Sequence, residues 1–375
     1  MKMLQKKVKS LAIKSLRKCY YQNGIYAGLH QFKDYWARDS FYASLGALEI
    51  RDLGIVRKNL ELFLRFEKKG KIPLRIGNRF LIQTVLGIRG KKLFPKYNDD
   101  KKGSFCSDSN TLFLIVFARY IQVSKDKQFA IKHLPKIIKI ITNLKRYSDE
   151  NLLINEDYYS TWMDAIKKRG YIFYSNLLYF IALKIIYEIY SEQKMEIGFD
   201  ENYIKKLSMK INDTFWKYNH FTDWIGNNDA DYFDTFSNLL AIYFGFASKS
   251  KSKKILSFIK EKNLINQQGA IKKSFPNYSE KLISKRIRLL GLKSYCTSIY
   301  YPAMCFFYFV CLKKTKFEDK KSDLQKNSLL SRVLSQKKIF EAWDFRFNPY
   351  SEIFYYSEHP FAWACSFLIL LTNTA

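Results

Sequence analysis

Apolar residues are distributed along this chain in two alternating patterns. In one, nearly every position is apolar: about 40–52, 109–123, 174–191, 234–247, 297–313 and 358–373. In the other, apolar positions return every three or four residues on a lysine-rich background: about 2–19, 53–69, 127–148, 198–216, 250–263 and 323–340. Both patterns are helical by length and spacing, but they differ in how much of the cylinder has to leave water. A helix that is apolar all round sits between other helices, whereas one with a single wet stripe covers them from outside. Strict alternation of the two kinds predicts an all-α fold, a closed (α/α)6 barrel of about twelve helices in an inner and an outer ring. The buried segments start roughly 60 to 70 residues apart, the length of one helical hairpin with its connection. On this reading one catalytic-sized domain spans 1–375, with 1–22 a basic helix packed on the barrel or preceding it.

Inner helices separated by outer ones all run the same way, so their N-termini meet at one end. Asp39, Asp108, Ser175, Asn176, Asp234, Thr297, Ser298, Ser357 and Glu358 stand at those starts. Each residue type is a good helix cap, satisfying orphan N–H groups at the positive end of the dipole. Together they are expected to line a polar bowl above an aromatic core, a suitable place for a polyhydroxylated ligand.

Composition narrows the choice. Hydrophobic residues make up 47% and aromatics 17% of 375 residues, enough for a sizeable core, and only 7 prolines and 15 glycines interrupt long helices. The net charge of +30 raises the question of a polyanionic partner. The lysines are spread along the whole length rather than clustered, so solvated faces are expected and a nucleic-acid partner is not. Six cysteines form no C-x-x-C pair and fall in apolar runs, as buried free thiols in a reducing compartment would. Four histidines lie at no ligand spacing, and neither a metal nor an organic cofactor is expected. Charged residues interrupt the N-terminal segment, and the longest apolar runs fall short of the roughly 20 residues that span a bilayer. A cytoplasmic protein without a membrane partner is the expectation.

The stretch Thr161-Trp162-Met163-Asp164-Ala165 sets a tryptophan beside an acid just before the third buried helix. A tryptophan face stacks on a sugar ring while a neighbouring carboxyl reaches its polar edge. Tyr35-Trp36-Ala37-Arg38-Asp39-Ser40 repeats the theme at the first buried helix, Ser351-Glu352-Ile353-Phe354 supplies a late acid, and Phe361-Ala362-Trp363-Ala364 opens the last helix. In order and content these four stretches resemble the amylo-α-1,6-glucosidases, the glucosidase part of glycogen debranching enzymes, and more distantly family 63 glycosidases and neutral invertases. The first resembles that family's T-W-M-D-A, the second its W-x-R-D, the third its S-E-I-F and the fourth its Q-A-W-S. The resemblance implies an (α/α)6 glycoside hydrolase in which Asp164 is the general acid, Glu352 the water-activating base and Asp39 a sugar-holding acid. It further implies substrate contacts by Trp36, Arg38, Asp108, Trp162, Asn176 and Trp363. Three positions depart from the family pattern: Tyr174 stands at a Glu-Ile-Asn segment, Tyr301 in a G-x-x-W-P-W segment and Phe361 in place of Gln.

The chemistry is consistent with those residue types. Glycosidic cleavage needs one carboxyl protonated near neutral pH and a second, ionised one across the ring, about 6.5–9.5 Å away if the anomeric configuration inverts. Apolar neighbours Trp162 and Met163 favour a neutral Asp164; a polar loop favours an ionised Glu352. Asp164 could instead pair with Lys167, Lys168 or Arg169, and Glu358 competes with Glu352 as base. The expected activity is inverting hydrolysis of α-glucosidic bonds, α-1,6 among them, in short oligosaccharides or branch stubs. The alternatives are a sucrose- or mannoside-type glycoside, or a non-catalytic sugar- or polyanion-binding protein.

Overall fold

A computed structural model describes residues 2–77, 92–97, 106–226, 231–353 and 355–373. Fourteen α-helices occur among them: α1 (Lys2–Lys18), α2 (Ala37–Glu49), α3 (Leu53–Arg65), α4 (Asp108–Ser124), α5 (Lys127–Lys145), α6 (Phe173–Ser191), α7 (Glu201–Phe215), α8 (Thr235–Tyr243), α9 (Lys249–Glu261), the short α10 (Lys285–Leu289) and α11 (Lys293–Thr297), α12 (Pro302–Thr315), α13 (Lys320–Gln336) and α14 (Ala362–Asn373). Six of them, α2, α4, α6, α8, α12 and α14, are buried along nearly their whole length. Each touches the next around a circle, and α14 packs on α2, so the ring is closed. Helices α1, α3, α5, α7, α9 and α13 bury one stripe each and stand outside, and α1 rests on α13 and α14. The fold is the (α/α)6 barrel that the two hydrophobic patterns predict.

Two details explain how the ring closes and keeps its register. At the seam, the Ser366 hydroxyl accepts from Gly46 N–H and donates to the Tyr42 carbonyl, both at 2.7 Å. A Cβ on Gly46 would come within 2.6 Å of Ser366, so only glycine lets α2 and α14 approach this closely. Along the ring, five outer helices are followed by a tight antiparallel turn, bridged at Tyr20 and Ile25, Lys68 and Lys71, Ser148 and Ile154, Trp216 and Phe221, and Ile265 and Ile271. Asparagines in the first turn of the next inner helix clasp three of these returns. Asn110 accepts from Ile72 N–H at 2.8 Å, Asn176 from Ile154 N–H at 2.7 Å and Asn238 from Phe221 N–H at 3.0 Å, and each amide also donates to a carbonyl of the same return. The side-chain amide carries a donor and an acceptor at once, so it satisfies a non-helical backbone that would otherwise be buried without partners.

Aromatic rings fill the axis. Phe307 stacks on Phe367 at 4.4 Å and Tyr42 on Trp363 at 4.6 Å, with Phe236 against Trp363, Phe307 and Phe367. This plug bars the barrel from being a channel and gives the bowl at the N-terminal rim a floor. No helix among the described residues is long and apolar enough to cross a membrane.

Candidate active site

A pocket opens at that rim, lined by Trp36, Arg38, Asp39, Trp162, Asp164, Phe236, Tyr295, Tyr301, Glu341, Phe361 and Trp363, among others. Three carboxylates face it, Asp39, Asp164 and Glu341, between the rings of three tryptophans.

Asp164 rides on the loop before α6, and the loop is fastened through its main chain. Arg38 donates to the Thr161 carbonyl at 2.9 Å and the Trp162 carbonyl at 3.5 Å, and Ser284 N–H donates to the Ala165 carbonyl at 2.8 Å. The Trp162 indole N–H donates to Asp234 at 3.2 Å, which fixes the ring at the pocket wall against Phe236 and Tyr301. The Asp164 carboxylate itself is exposed and has no side-chain partner among the described residues. Its basic neighbours are engaged elsewhere: Lys168 with Asp223, Arg169 with Asp157, and Lys167 over the Tyr158 ring. The apolar enclosure expected around Asp164 is therefore absent, because Met163 turns into the core and Trp162 packs sideways.

Asp39 lies in the first turn of α2 with no other side chain on its carboxylate among the described residues. It is open to the pocket but surrounded by protein, and this burial pushes its carboxyl up to about 7 against the pull of the adjacent Arg38 guanidinium. The ion pair that Arg38 makes is with Asp108, at 2.5 Å. Asp108 is fully buried, also accepts from Cys106 Sγ, and does not line the pocket. Its contribution is to hold the arginine that holds the Asp164 loop, which corrects its expected place as a substrate ligand.

Asn176 needs the same correction: it is buried in its clasp on Ile154 and does not reach the pocket. Of the rim residues, Asp234 caps α8 through Ser237 N–H, Ser175 binds Glu156, and Ser357 binds Ala342 N–H. Glu358 accepts backbone N–H groups from Leu29, His30, Phe32 and His359, and its side chain occupies the space a Cβ on Gly28 would need. Capping and loop-holding engage Asp234 and Glu358, and of the acids expected at the helix starts only Asp39 lines the bowl.

Glu352 is displaced most. It lies in an exposed two-residue strand, Ser351–Glu352, paired with Tyr355–Tyr356; its side chain meets the Tyr350 hydroxyl at 3.2 Å, and it does not line the pocket. Phe354, the last residue of that stretch, lies outside the described residues. The carboxylate that faces the pocket from this part of the chain is Glu341, 4% exposed, on a non-helical segment after α13. That segment is pinned by Glu341 N–H to the Glu358 carbonyl at 3.0 Å and by paired backbone bonds between Trp343 and Tyr300. Tyr295 and Tyr355 each donate a phenol hydrogen bond to Glu341, at 2.6 Å. Burial pushes the Glu341 carboxyl up to about 7, and the two phenols draw it back down.

The family model described as amylo-alpha-1,6-glucosidase matches residues 8–272. The chain belongs to the amylo-alpha-1,6-glucosidase family. It is a glycoside hydrolase by that membership, and the solved structures it resembles share its barrel. A rhamnosidase from Klebsiella oxytoca with rhamnose bound superposes with a TM-score of 0.70 at 13% identity, over 98% of this chain and 63% of that one, so this chain spans less than two thirds of the rhamnosidase. A family 63 mannosylglycerate hydrolase from Thermus thermophilus in complex with glucose gives 0.70 at 9% identity, over 97% and 99% of the two chains. A glycosidase with a single glutamate-to-alanine substitution, in complex with glucose, gives 0.68 at 9%, over 99% and 97%. No curated protein sequence matches significantly.

In this amylo-alpha-1,6-glucosidase relative the matched span holds Trp36, Arg38, Asp39, Trp162 and Asp164 and ends well before Glu341. The sequence nevertheless carried a signal for Glu341: it is the single charged residue in Ile339-Phe340-Glu341-Ala342-Trp343. A carboxylate placed among apolar residues has to be buried with partners or serve a function.

Proposed function

We propose that the chain hydrolyses α-glucosidic bonds of short oligosaccharides, α-1,6 stubs among them, with inversion, using Asp164 as general acid, Glu341 as general base and Asp39 to hold sugar hydroxyls. One observation carries the reading: Asp164, Asp39 and Glu341 share one pocket walled by Trp36, Trp162 and Trp363, the arrangement in which a sugar ring stacks while carboxyls reach its edges. Glu341 accepts a hydrogen bond on each oxygen, as an ionised carboxylate does, which suits a base. Asp164 has no such partner and is free to carry a proton to a leaving oxygen. Glu341 replaces Glu352 in this assignment because Glu352 stands away from the sugar-sized space. Three carboxylates against one arginine, itself paired to Asp108, disfavour an anionic ligand. Such a pocket is unsuited to a polyanion, and equally to a charged glycoside such as the mannosylglycerate for which the Thermus hydrolase is named.

Burial supports a second reading with the roles exchanged, since the group pushed up to about 7 is Glu341. One experiment separates the two. The protein is assayed on maltooligosaccharides, isomaltose, panose, sucrose, trehalose and a rhamnoside, then on an activated α-glucosyl fluoride that needs no acid. Under the proposed roles Asp164→Asn loses roughly 100- to 10,000-fold on the natural linkage but little on the fluoride, and Glu341→Gln loses both. The opposite pattern exchanges the roles. Proton NMR of the first-formed anomer tests inversion, and absence of turnover on every glycoside removes the reading.

A further inference from the structure

We infer that Tyr295 and Tyr355 form a clamp that keeps Glu341 ionised and aimed, which makes them positioning residues for the reaction proposed above, on which this inference rests. The two phenols come from separate parts of the chain, Tyr295 from α11 and Tyr355 from the strand following the exposed Ser351–Glu352 turn, and they converge on one side chain. The Tyr295 hydroxyl donates to Oε1 and the Tyr355 hydroxyl to Oε2, each at 2.6 Å, in the range of charge-assisted bonds. A carboxylate offers roughly four lone-pair directions. Two phenols occupy one on each oxygen and leave one on each, so a water can still be bound and deprotonated.

The donor type suits the task. Burial and the like charges of Asp39 on α2 and Glu358 before α14 all push Glu341 toward the neutral form; Tyr301 at the start of α12 also faces it, and Asp164, Arg38 and Cys296 line the same pocket. An adjacent ammonium or guanidinium would overcome these effects and hold the carboxylate too stably to accept a proton. Neutral phenols stabilise the anion without a counter-charge, which leaves the base in the neutral range where it can both release and take up a proton. Other contacts hold the clamp in turn. Lys273 Nζ at 2.6 Å and the Tyr301 hydroxyl at 2.9 Å both donate to the Tyr295 carbonyl, and the rings of Tyr295 and Tyr355 meet edge to face at 5.2 Å. Tyr355, which follows the late stretch Ser351-Glu352-Ile353-Phe354, thus brings this part of the chain to the site.

Direct titration tests this without depending on the substrate. The full chain is labelled with carbon-13 at its glutamate carboxyls, and the Glu341 resonance is the one missing from Glu341→Gln. Its midpoint is followed in the wild type, Tyr295→Phe, Tyr355→Phe and the double variant. A rise of about one pH unit or more in each single variant, larger in the double, is expected from the loss of a hydrogen bond to a charged group. A fluorotyrosine at position 355, which keeps the shape and strengthens the donor, moves the midpoint down; it serves in place of Tyr355→Phe if that variant unfolds. The acid limb of kcat/KM shifts in parallel, so the variants recover at higher pH. Midpoints that stay within a few tenths of a unit, or a loss of rate uniform across pH, overturn the clamp. An inactive Glu341→Gln with unmoved midpoints removes the clamp alone, whereas a fully active Glu341→Gln removes the base assignment beneath it.

Discussion

Asp164 and Glu341 line one pocket and are held in opposite ways. On the Asp164 side the main chain is fastened, by Arg38 on two carbonyls and by Ser284 on a third, and the Trp162 ring is held by its indole on Asp234, while the Asp164 carboxylate stays open to water. On the Glu341 side the carboxylate itself is fastened, with a phenol on each oxygen. The difference is one of where conformational freedom is removed. A proton donor has to follow a leaving oxygen as the bond lengthens, so a rigid loop with a free side chain suits it. A base has to present one water to one carbon, so ordering the side chain in advance is worth more there.

The comparison breaks most severely at Arg38. Arg38→Ala leaves Asp108 buried without its counter-charge, and loss of one member of a buried pair costs about 3–5 kcal/mol. Urea unfolding measures it. Arg38→Lys keeps the charge but not the fork that reaches Asp108 and the Thr161 carbonyl together, so kcat is expected to fall at least about tenfold with a smaller loss of stability. An Arg38→Lys enzyme with unchanged kcat would show that main-chain fastening is irrelevant to Asp164.

On the Glu341 side the sharper test is pH. The folded carboxyl sits near 7 against an ordinary 4.5, so the native state binds more protons than the unfolded chain between those values, and stability falls as pH rises through that window. The penalty is absent below about 4.5 and complete above about 7, on the order of 3 kcal/mol. Glu341→Gln cannot ionise and escapes it. The melting temperature of the variant relative to the wild type is therefore expected to climb between pH 5 and pH 8; a difference that stays flat contradicts the burial argument.

What could be read from the chain follows from what periodicity encodes. All twelve long helices among the described residues announce themselves, because the width of an apolar stripe reports directly whether a helix is inside or outside. The convergence of acids on one rim is also readable, since parallel inner helices force it. The task of each acid is not, because capping, loop-holding and ligand binding call for the same residue types. Asp234, Glu358 and Asn176 look like sugar ligands and turn out to hold backbone. Glu341 went unread for the converse reason: its partners lie 46 and 14 residues away, and nothing local marks an acid as shared by two tyrosines. Asn176→Ala separates these kinds of residue. It strips Ile154 of partners for a buried N–H and C=O, about 1–3 kcal/mol by thermal unfolding, and leaves KM unchanged at temperatures where the fold holds.

The smallest expected effect falls on Glu352, and it is informative because it sits in the same C-terminal stretch as the clamp. Glu352 is exposed, bonded to one tyrosine hydroxyl and outside the pocket. Surface substitutions of this kind stay within about 0.5 kcal/mol, and with no path to the sugar the expected change in kcat/KM for Glu352→Ala is within about twofold. Three residues on, Tyr355 is buried against Glu341, and Tyr355→Phe is expected to move the pH profile. If Glu352→Ala abolished turnover while Tyr355→Phe left it untouched, the turn rather than the buried segment would supply the second carboxylate. That result would require the 351–356 region to fold over the pocket when sugar binds, and Glu341 would then be a structural acid like Glu358.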